Sequence, residues 1–313
     1  AIGPYALQAQ NFTSATDTYN TALGYAPGNA LTIGVKNTLI GGLAGVSSTD
    51  ANENVAVGYQ SFHENTKGSN NVAVGTAALF TMNFSSATNS YNTAVGHLAG
   101  AAVTTGIRNV LVGGLTGDAL TDADHNVIMG FNSLSTDTLG SKSTAIGSEA
   151  LHTQNFTSAT DTHNTAVGFN AGYAVTTGTN NTFMGSLAGD GTDDGVGNTC
   201  VGRSAGSGNL GDNNTLIGLE AGTSVTADDN TIVGRSAGLA LTSGSNNLLL
   251  GHDSGRSGSP GGNIATGSNE LVLGDENISQ AHVQVDWTVA SDQRDKTDFT
   301  ALDLGLDFVK ALA

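Results

Sequence analysis

Residues 92–100 read NTAVGHLAG, and close copies return as NTFMGSLAG at 181–189, NTLIGLEAG at 214–222 and NTIVGRSAG at 230–238. Each copy contains a short core: an asparagine, a threonine or valine, an apolar residue, an aliphatic residue and a glycine. The core glycines are Gly24, Gly41, Gly58, Gly75, Gly96, Gly113, Gly130, Gly147, Gly168, Gly185, Gly202, Gly218, Gly234, Gly251 and Gly274, and Gly3 closes an earlier copy. A repeat of this kind predicts stacked structural units and not a globular domain.

The spacing of the core glycines reveals a higher period. Three equal steps are followed by one longer step, from Gly75 to Gly96, and the whole cycle then repeats before the steps become less regular. One cycle, from Gly24 to Gly96, is a super-repeat of four units. The long unit of each cycle is nearly copied at 11–20 (NFTSATDTYN), 83–92 (NFSSATNSYN) and 155–164 (NFTSATDTHN).

Each core predicts a short strand that ends in a glycine turn. The residue before the glycine is aliphatic or methionine and the residue two before it is also apolar, as in Ala94 and Val95. Successive side chains of a strand point to opposite faces, so both faces need cover. A single coiled chain covers only the inner face. We therefore expect an all-β, parallel solenoid of 16 units, with two or three short strands per coil, whose outer face is covered by further copies.

Composition excludes several classes of protein. The chain has 313 residues, of which 44 are glycine, 12% are charged and 5% are aromatic. A composition so rich in glycine and so poor in aromatic residues does not build a conventional globular core. A net charge of −17 argues against nucleic acid as a partner, and no long apolar run predicts membrane insertion. The histidines and the acidic turns, such as Asp118 and Asp190, lack metal-ligand spacing, so we expect no metal or cofactor. Cys200 fills a core apolar slot and is expected to be buried.

The repeats resemble the head repeats of trimeric autotransporter adhesins, which also occur in phage tail fibres. The resemblance covers residues 1–274 and rests on the NTxxGxxAG strings quoted above. It implies a left-handed parallel β-roll that assembles as a homotrimer.

A second resemblance covers the C-terminal residues. Residues 289–296 (VASDQRDK), followed by 304–309 (LGLDFV), look like the start of the endosialidase-type intramolecular chaperone, which helps phage fibres trimerise and then releases itself. The resemblance implies that Ser291 and Lys296 form the self-cleaving dyad and that Ala290 and Asp292 flank the cut. A lysine activates a serine only when its own pKa is lowered.

These observations define three predicted regions: a repeat shaft at 1–274, a connector at 275–290 and the start of the chaperone at 291–313. Residues 300–313 have the apolar spacing of a short amphipathic helix. The expected function is a structural and adhesive tail fibre of a phage virion, with a non-enzymatic body apart from one self-cleavage. Expected partners are other copies of the chain, other tail proteins, and a glycan or protein of the host surface. The alternatives are the head of a bacterial trimeric adhesin at the cell surface and, third, a polysaccharide depolymerase fibre.

Aromatic residues of the long units are the candidates for receptor contact. They are Phe12, Tyr19, Phe84, Tyr91, Phe156 and, in the third copy, His163. Aromatic rings in protruding polar loops stack on sugars. The competing interpretation is that these residues plug the interior beneath the bulge of the long unit.

Self-cleavage is expected only in a longer polypeptide. Only the segment 292–313 follows Ser291, which is too short for the whole chaperone. Purified chain 1–313 should therefore give a single intact mass after prolonged incubation, and products split beside Ser291 would contradict this expectation.

Overall fold

The structure of the chain, a computed structural model, describes residues 1–282. The repeat unit spans Ala1–Asn277, and residues 283–313 are outside the description. Within the described residues there are strands and turns but no helix. The strands in chain order are β1 (Thr21–Leu23), β2 (Thr38–Ile40), β3 (Val55–Val57), β4 (Gly68–Ser69), β5 (Val72–Val74), β6 (Thr88–Asn89), β7 (Thr93–Val95), β8 (Val110–Val112), β9 (Val127–Met129), β10 (Gly140–Ser141), β11 (Thr144–Ile146), β12 (Thr160–Asp161), β13 (Thr165–Val167), β14 (Thr182–Met184), β15 (Thr199–Val201), β16 (Thr215–Ile217), β17 (Thr231–Val233), β18 (Leu248–Leu250) and β19 (Leu271–Leu273).

The fifteen three-residue strands form one parallel sheet in which each strand pairs with the strand of the next coil. Residues at equivalent positions of neighbouring strands are β-pairing partners throughout, as Ala94 and Leu111 are. A further bridge joins Ile2 to Leu23. At a strand spacing of about 4.8 Å, fourteen steps give a solenoid roughly 67 Å long. The predicted all-β, repetitive parallel solenoid is confirmed.

The expectation of two or three strands in every coil is wrong. Most coils contain one three-residue strand, and a second, two-residue strand occurs only where β4 pairs with β6 and β10 pairs with β12. The reason is local conformation, since residues two and four positions after the core glycine adopt left-handed φ, as Gln60 (φ 55°) and Phe62 (φ 57°) do. Repeated left-handed residues turn the backbone continuously and interrupt extended structure.

The core glycines form a stacked column, here called the glycine column. From Gly24 to Gly234 their φ angles lie between +129° and +144°, a region that side chains other than glycine rarely adopt. An added Cβ on Gly113 would collide with the carbonyl oxygen of Gly130 on the next coil. The missing side chain therefore permits both the turn after the strand and the close stacking of coils.

The core asparagines form a second continuous feature, the asparagine ladder. Asn109 shows the arrangement: its backbone N–H donates to Asn92 Oδ1 (2.8 Å), its Oδ1 accepts the backbone N–H of Asn126 (3.0 Å), and its Nδ2 donates to the carbonyl of Ala123 (2.7 Å). Asn109 is fully buried. A buried amide is tolerated when donors and acceptors are all paired. The ladder consists of Asn20, Asn37, Asn54, Asn71, Asn92, Asn109, Asn126, Asn164, Asn181, Asn198, Asn214, Asn230 and Asn247, and it is interrupted at Ser143.

The interior is a narrow core built from the middle residue of each main strand. These residues are at most 3% exposed: Ala22, Leu39, Ala56, Ala73, Ala94, Leu111, Ile128, Ala145, Ala166, Phe183, Cys200, Leu216, Ile232, Leu249 and Val272. The prediction that Cys200 is buried is confirmed, and burial raises the pKa of its thiol. Cys200 is therefore a core residue and not a reactive thiolate.

In some coils a large residue is provided either by the strand or by the turn that follows it, but not by both. Leu79 lies four positions after Gly75 in a coil whose strand contributes only Ala73, whereas Gly189 occupies the equivalent position beside Phe183. A Cβ on Gly189 would collide with the Phe183 ring. In these two coils one of the two positions fills the narrow interior and the other leaves room for it.

Neighbouring glycines provide a matched test of the glycine column. Gly113→Ala is expected to lower the free energy of unfolding by at least about 2 kcal/mol, because the new Cβ meets backbone at an unfavourable φ. Gly114→Ala places its Cβ 3.7 Å from the Phe131 ring and should change stability by less than about 1 kcal/mol. Chemical unfolding followed by circular dichroism measures both, and equal effects of the two substitutions would contradict the stacking explanation.

Candidate functional site

The predicted self-cleavage residues lie outside the described part of the chain. Ser291, Lys296, Ala290 and Asp292 belong to residues 283–313. The predicted helix at 300–313 and the second half of the predicted connector also lie there. The dyad therefore stays a prediction.

The long units divide their aromatic residues between the interior and the surface. Phe84 and Phe156 are buried, at 6% and 7% exposure, and Phe12 is half-buried. The rings of Phe84 and Phe156 fill the interior, as the competing interpretation held. The remaining three candidates are exposed and stand directly before an asparagine of the ladder, with φ between 49° and 52°. The long-unit candidates that remain accessible for binding are thus Tyr19, Tyr91 and His163.

The outward side chains of the main sheet form a surface with a continuous aliphatic row beside a row that is mostly threonine, here called the outer sheet face. It consists of the first and last residue of each three-residue strand. The last residue is aliphatic or methionine in every strand, and in a single chain several are 36–46% exposed: Leu23, Val95, Met129, Met184, Ile217 and Leu273. Beside this row, on the residue after the core glycine, four aromatic rings are 54–57% exposed: Tyr25, Tyr59, Phe131 and Phe169. A continuous apolar strip of this length is typical of a contact surface.

A buried carboxylate occurs where the asparagine ladder is interrupted. Asp137 has no exposed surface, and it accepts hydrogen bonds from the N–H groups of Gly140 (3.1 Å) and Phe156 (3.0 Å) and from Gln154 Nε2 (2.6 Å). Gln154 also donates to Ser143 Oγ (3.0 Å). Burial raises the pKa of Asp137, and these hydrogen bonds oppose the rise. The carboxylate is buried inside the solenoid and is therefore structural.

The preceding super-repeat has uncharged residues at the same four positions. The equivalents of Asp137, Ser143, Gln154 and Thr162 are, in that order, Asn65, Asn71, Met82 and Ser90. There, Asn65 Oδ1 accepts the N–H of Gly68 (2.8 Å) and Ser90 Oγ donates to Asn71 Oδ1 (2.9 Å). The chain thus contains two alternative sets of hydrogen-bonded side chains at equivalent buried positions.

Other chemically active groups are sparse in the described region. Residues 1–282 contain no group of three His, Cys, Asp or Glu side chains arranged to hold a metal ion. A polar pocket of about 140 Å³ lies near the end of the repeat unit, lined by His252, Asp253, Arg256, Asp275 and Glu276. His252 Nδ1 is 3.1 Å from Asp275 Oδ2, and Arg256 pairs with Asp253. Along 1–282 no helix is long and apolar enough to cross a bilayer.

Comparison with known proteins finds no match. No protein family model matches the chain, and neither a curated protein nor a solved structure matches it.

The side chains of one buried polar site can be exchanged for those of the other to test the role of Asp137. Gln154→Met alone should lower the free energy of unfolding at pH 7 by about 1–3 kcal/mol, since Asp137 Oδ2 loses its donor while remaining buried. The fourfold exchange Asp137→Asn, Ser143→Asn, Gln154→Met and Thr162→Ser copies the preceding super-repeat and should recover the loss. Thermal unfolding of the wild type and the two variants gives the comparison.

The same proteins test the pH dependence. A raised pKa means that the folded state binds the Asp137 proton more tightly than the unfolded state. The wild type should therefore lose stability as pH rises from the ordinary aspartate range through the raised value. The fourfold exchange should lack this loss, and an identical pH profile in both proteins would show that Asp137 has no such effect.

Proposed function

We propose that the protein is a subunit of a homotrimeric, structural and adhesive phage tail fibre that attaches the virion to the host surface. The outer sheet face is the observation that carries this proposal. Its aliphatic row repeats on every coil from Leu23 to Leu273, and every member is at least partly exposed in a single chain.

An isolated chain would expose this strip to water over its whole length. Monomeric soluble proteins rarely expose contiguous apolar patches larger than a few hundred Å². Covering the row with equivalent rows of other copies removes it from water, at about 25 cal/mol per Å² of apolar surface. Because every copy has the same coil spacing, the rows of three copies match along the fibre.

The residues that surround the sheet support a fibre more than a soluble enzyme. The interior is a thin column of small and aliphatic side chains, and each coil is stabilised by its neighbours. Exposed tyrosines such as Tyr19 and Tyr91 recur at intervals of four coils, a spacing that suits repeated weak contacts with a host surface.

The C-terminal resemblance favours the phage fibre over a bacterial adhesin head. Both proposals share the trimeric repeat shaft. Residues 289–309 resemble the self-releasing chaperone of phage fibres, in which Ser291 and Lys296 would cleave the chain after trimerisation. A depolymerase would additionally need paired carboxylates at a substrate cleft.

Oligomeric mass tests the proposal. Light scattering coupled to size exclusion should give three times the chain mass of 31.3 kDa. The double substitution Val95→Lys and Met129→Lys on the outer sheet face should disrupt assembly, because two charges per chain would then be buried between the copies. Thr136→Lys, an exposed position in the same coil as Met129 but on its turn, is the matched control and should remain trimeric. A folded, monodisperse monomer of the wild type would overturn the proposal.

A further inference from the structure

Two rows of side chains border the outer sheet face, one at each end of its strands. The residue before each ladder asparagine, or before Ser143 where the ladder is interrupted, forms the row here called the leading edge. The residue after each core glycine forms the row here called the trailing edge. The lysines and arginines of residues 1–282 concentrate on these rows: Lys36, Arg108 and Lys142 on the leading edge, Arg203 and Arg235 on the trailing edge, and Lys67 and Arg256 elsewhere.

One coil has opposite charges on its two edges. Asp229 lies on the leading edge and Arg235 on the trailing edge, and both are exposed. No ion pair within residues 1–282 includes either side chain. The guanidinium of Arg235 donates to His252 Nε2, and Asp229 accepts a hydrogen bond from Asn213 Nδ2 (3.3 Å). Neither charge is therefore neutralised by the described part of its own chain.

Another coil has a cation on one edge and an aromatic ring on the other. Arg108 is exposed on the leading edge and contacts the His125 ring nitrogen (3.1 Å), without a carboxylate partner among residues 1–282. On the trailing edge of that coil, the ring of Phe131 from the next coil lies over Gly114, 3.7 Å from the place of an added Cβ. Phe131 is 57% exposed. The ring and the cation thus lie at the same level of the solenoid.

The two edges change together between super-repeats. One super-repeat earlier, the equivalents of Arg108 and Phe131 are Lys36 and Tyr59. One super-repeat later, Arg203 replaces the ring and neutral Asn180 replaces the cation. Within residues 1–282 no coil has a lysine or arginine on both edges. Lys36 and Arg203 each also pair with a glutamate of the next coil, so the unpaired edge cations Arg108 and Arg235 are the most informative.

The width of the sheet determines where the edges lie in a trimer. Three copies with their outer sheet faces around one axis form a triangle, and each corner brings the trailing edge of one copy to the leading edge of the next. Packed sheets lie about 10 Å apart, so each sheet lies about 5 Å from the axis, and the triangle has sides of about 17 Å. The six residue steps from Asp229 to Arg235 span at most about 20 Å. The edges therefore reach the corners.

We propose that the trailing edge of each copy binds the leading edge of the next copy at the same level of the fibre. Arg235 of one copy pairs with Asp229 of its neighbour, and Phe131 of one copy contacts Arg108 of its neighbour through a cation–π interaction. The long units insert additional residues beside the leading edge, so Tyr19 and Tyr91 are not included in this contact. The inference rests on the proposed trimer and specifies which surfaces of the copies meet.

Cysteine crosslinking of the assembled chain 1–313 tests the contact. With Arg235→Cys and Asp229→Cys together, a short bis-maleimide should join the copies, and a denaturing gel should show a covalent trimer. The two sites of one chain are too far apart for this linker, and Cys200 is buried. The matched control combines Arg235→Cys with Asn180→Cys, which lies on the leading edge three coils away, about 14 Å along the axis, and should not crosslink.

Charge exchange provides an independent measurement. Arg235→Asp alone and Asp229→Arg alone should each accelerate subunit exchange between fluorophore-labelled trimers at least about tenfold, because like charges then meet at every corner. The two substitutions together restore opposite charges and should return the rate to within about threefold of the wild type. Exchange rates that are the same in all four proteins would exclude the Arg235–Asp229 pair.

Two crosslinking results would overturn the arrangement even if the wild type is trimeric. In the first, Arg235→Cys with Asp229→Cys gives no covalent trimer. In the second, Arg235→Cys alone gives a covalent dimer, which would mean that the trailing edge meets itself. A monomeric wild type would contradict the fibre proposal and this contact together, and light scattering on the same samples distinguishes that case.

Discussion

Close stacking of equivalent backbone atoms from coil to coil is the constraint on which the rest of this structure depends. At each coil one glycine of the glycine column lies against the next, with no room for a Cβ. The asparagine ladder completes the contact by pairing a buried side-chain amide with the backbone of both neighbouring coils. Since these contacts place every residue above its equivalent, a side chain that faces outward in one coil faces outward in all.

That constraint turns short sequence motifs into long surfaces. Aliphatic residues such as Val95 and Met129 become a continuous outer sheet face, and this face is the basis of the proposed assembly with other copies. Single differences between super-repeats then become local features of the structure. Asp137 in place of an asparagine, for example, buries a carboxylate.

The regular part of the fold could be predicted from the sequence, because strict periodicity reports which residues share a face. Ala94 was expected to face away from Val95, and Cys200 was assigned to the core. The number of strands per coil could not be predicted, since left-handed φ angles such as that of Phe62 do not follow from residue type. Phe84 and Tyr91 belong to one long unit, yet only the structure separates the buried ring from the exposed one. The dyad near the C-terminus, Ser291 and Lys296, remains an expectation from resemblance alone.

Mass per unit length of the fibre tests most directly whether the outer sheet face is covered by other copies. Small-angle X-ray scattering measures both the length of the rod and the mass of its cross-section in solution. The expected result is a rod whose repeat part is about 70 Å long and contains three chains in every cross-section. A rod of that length with the cross-section of one chain would contradict the covered face, because the apolar row would then be stable in water.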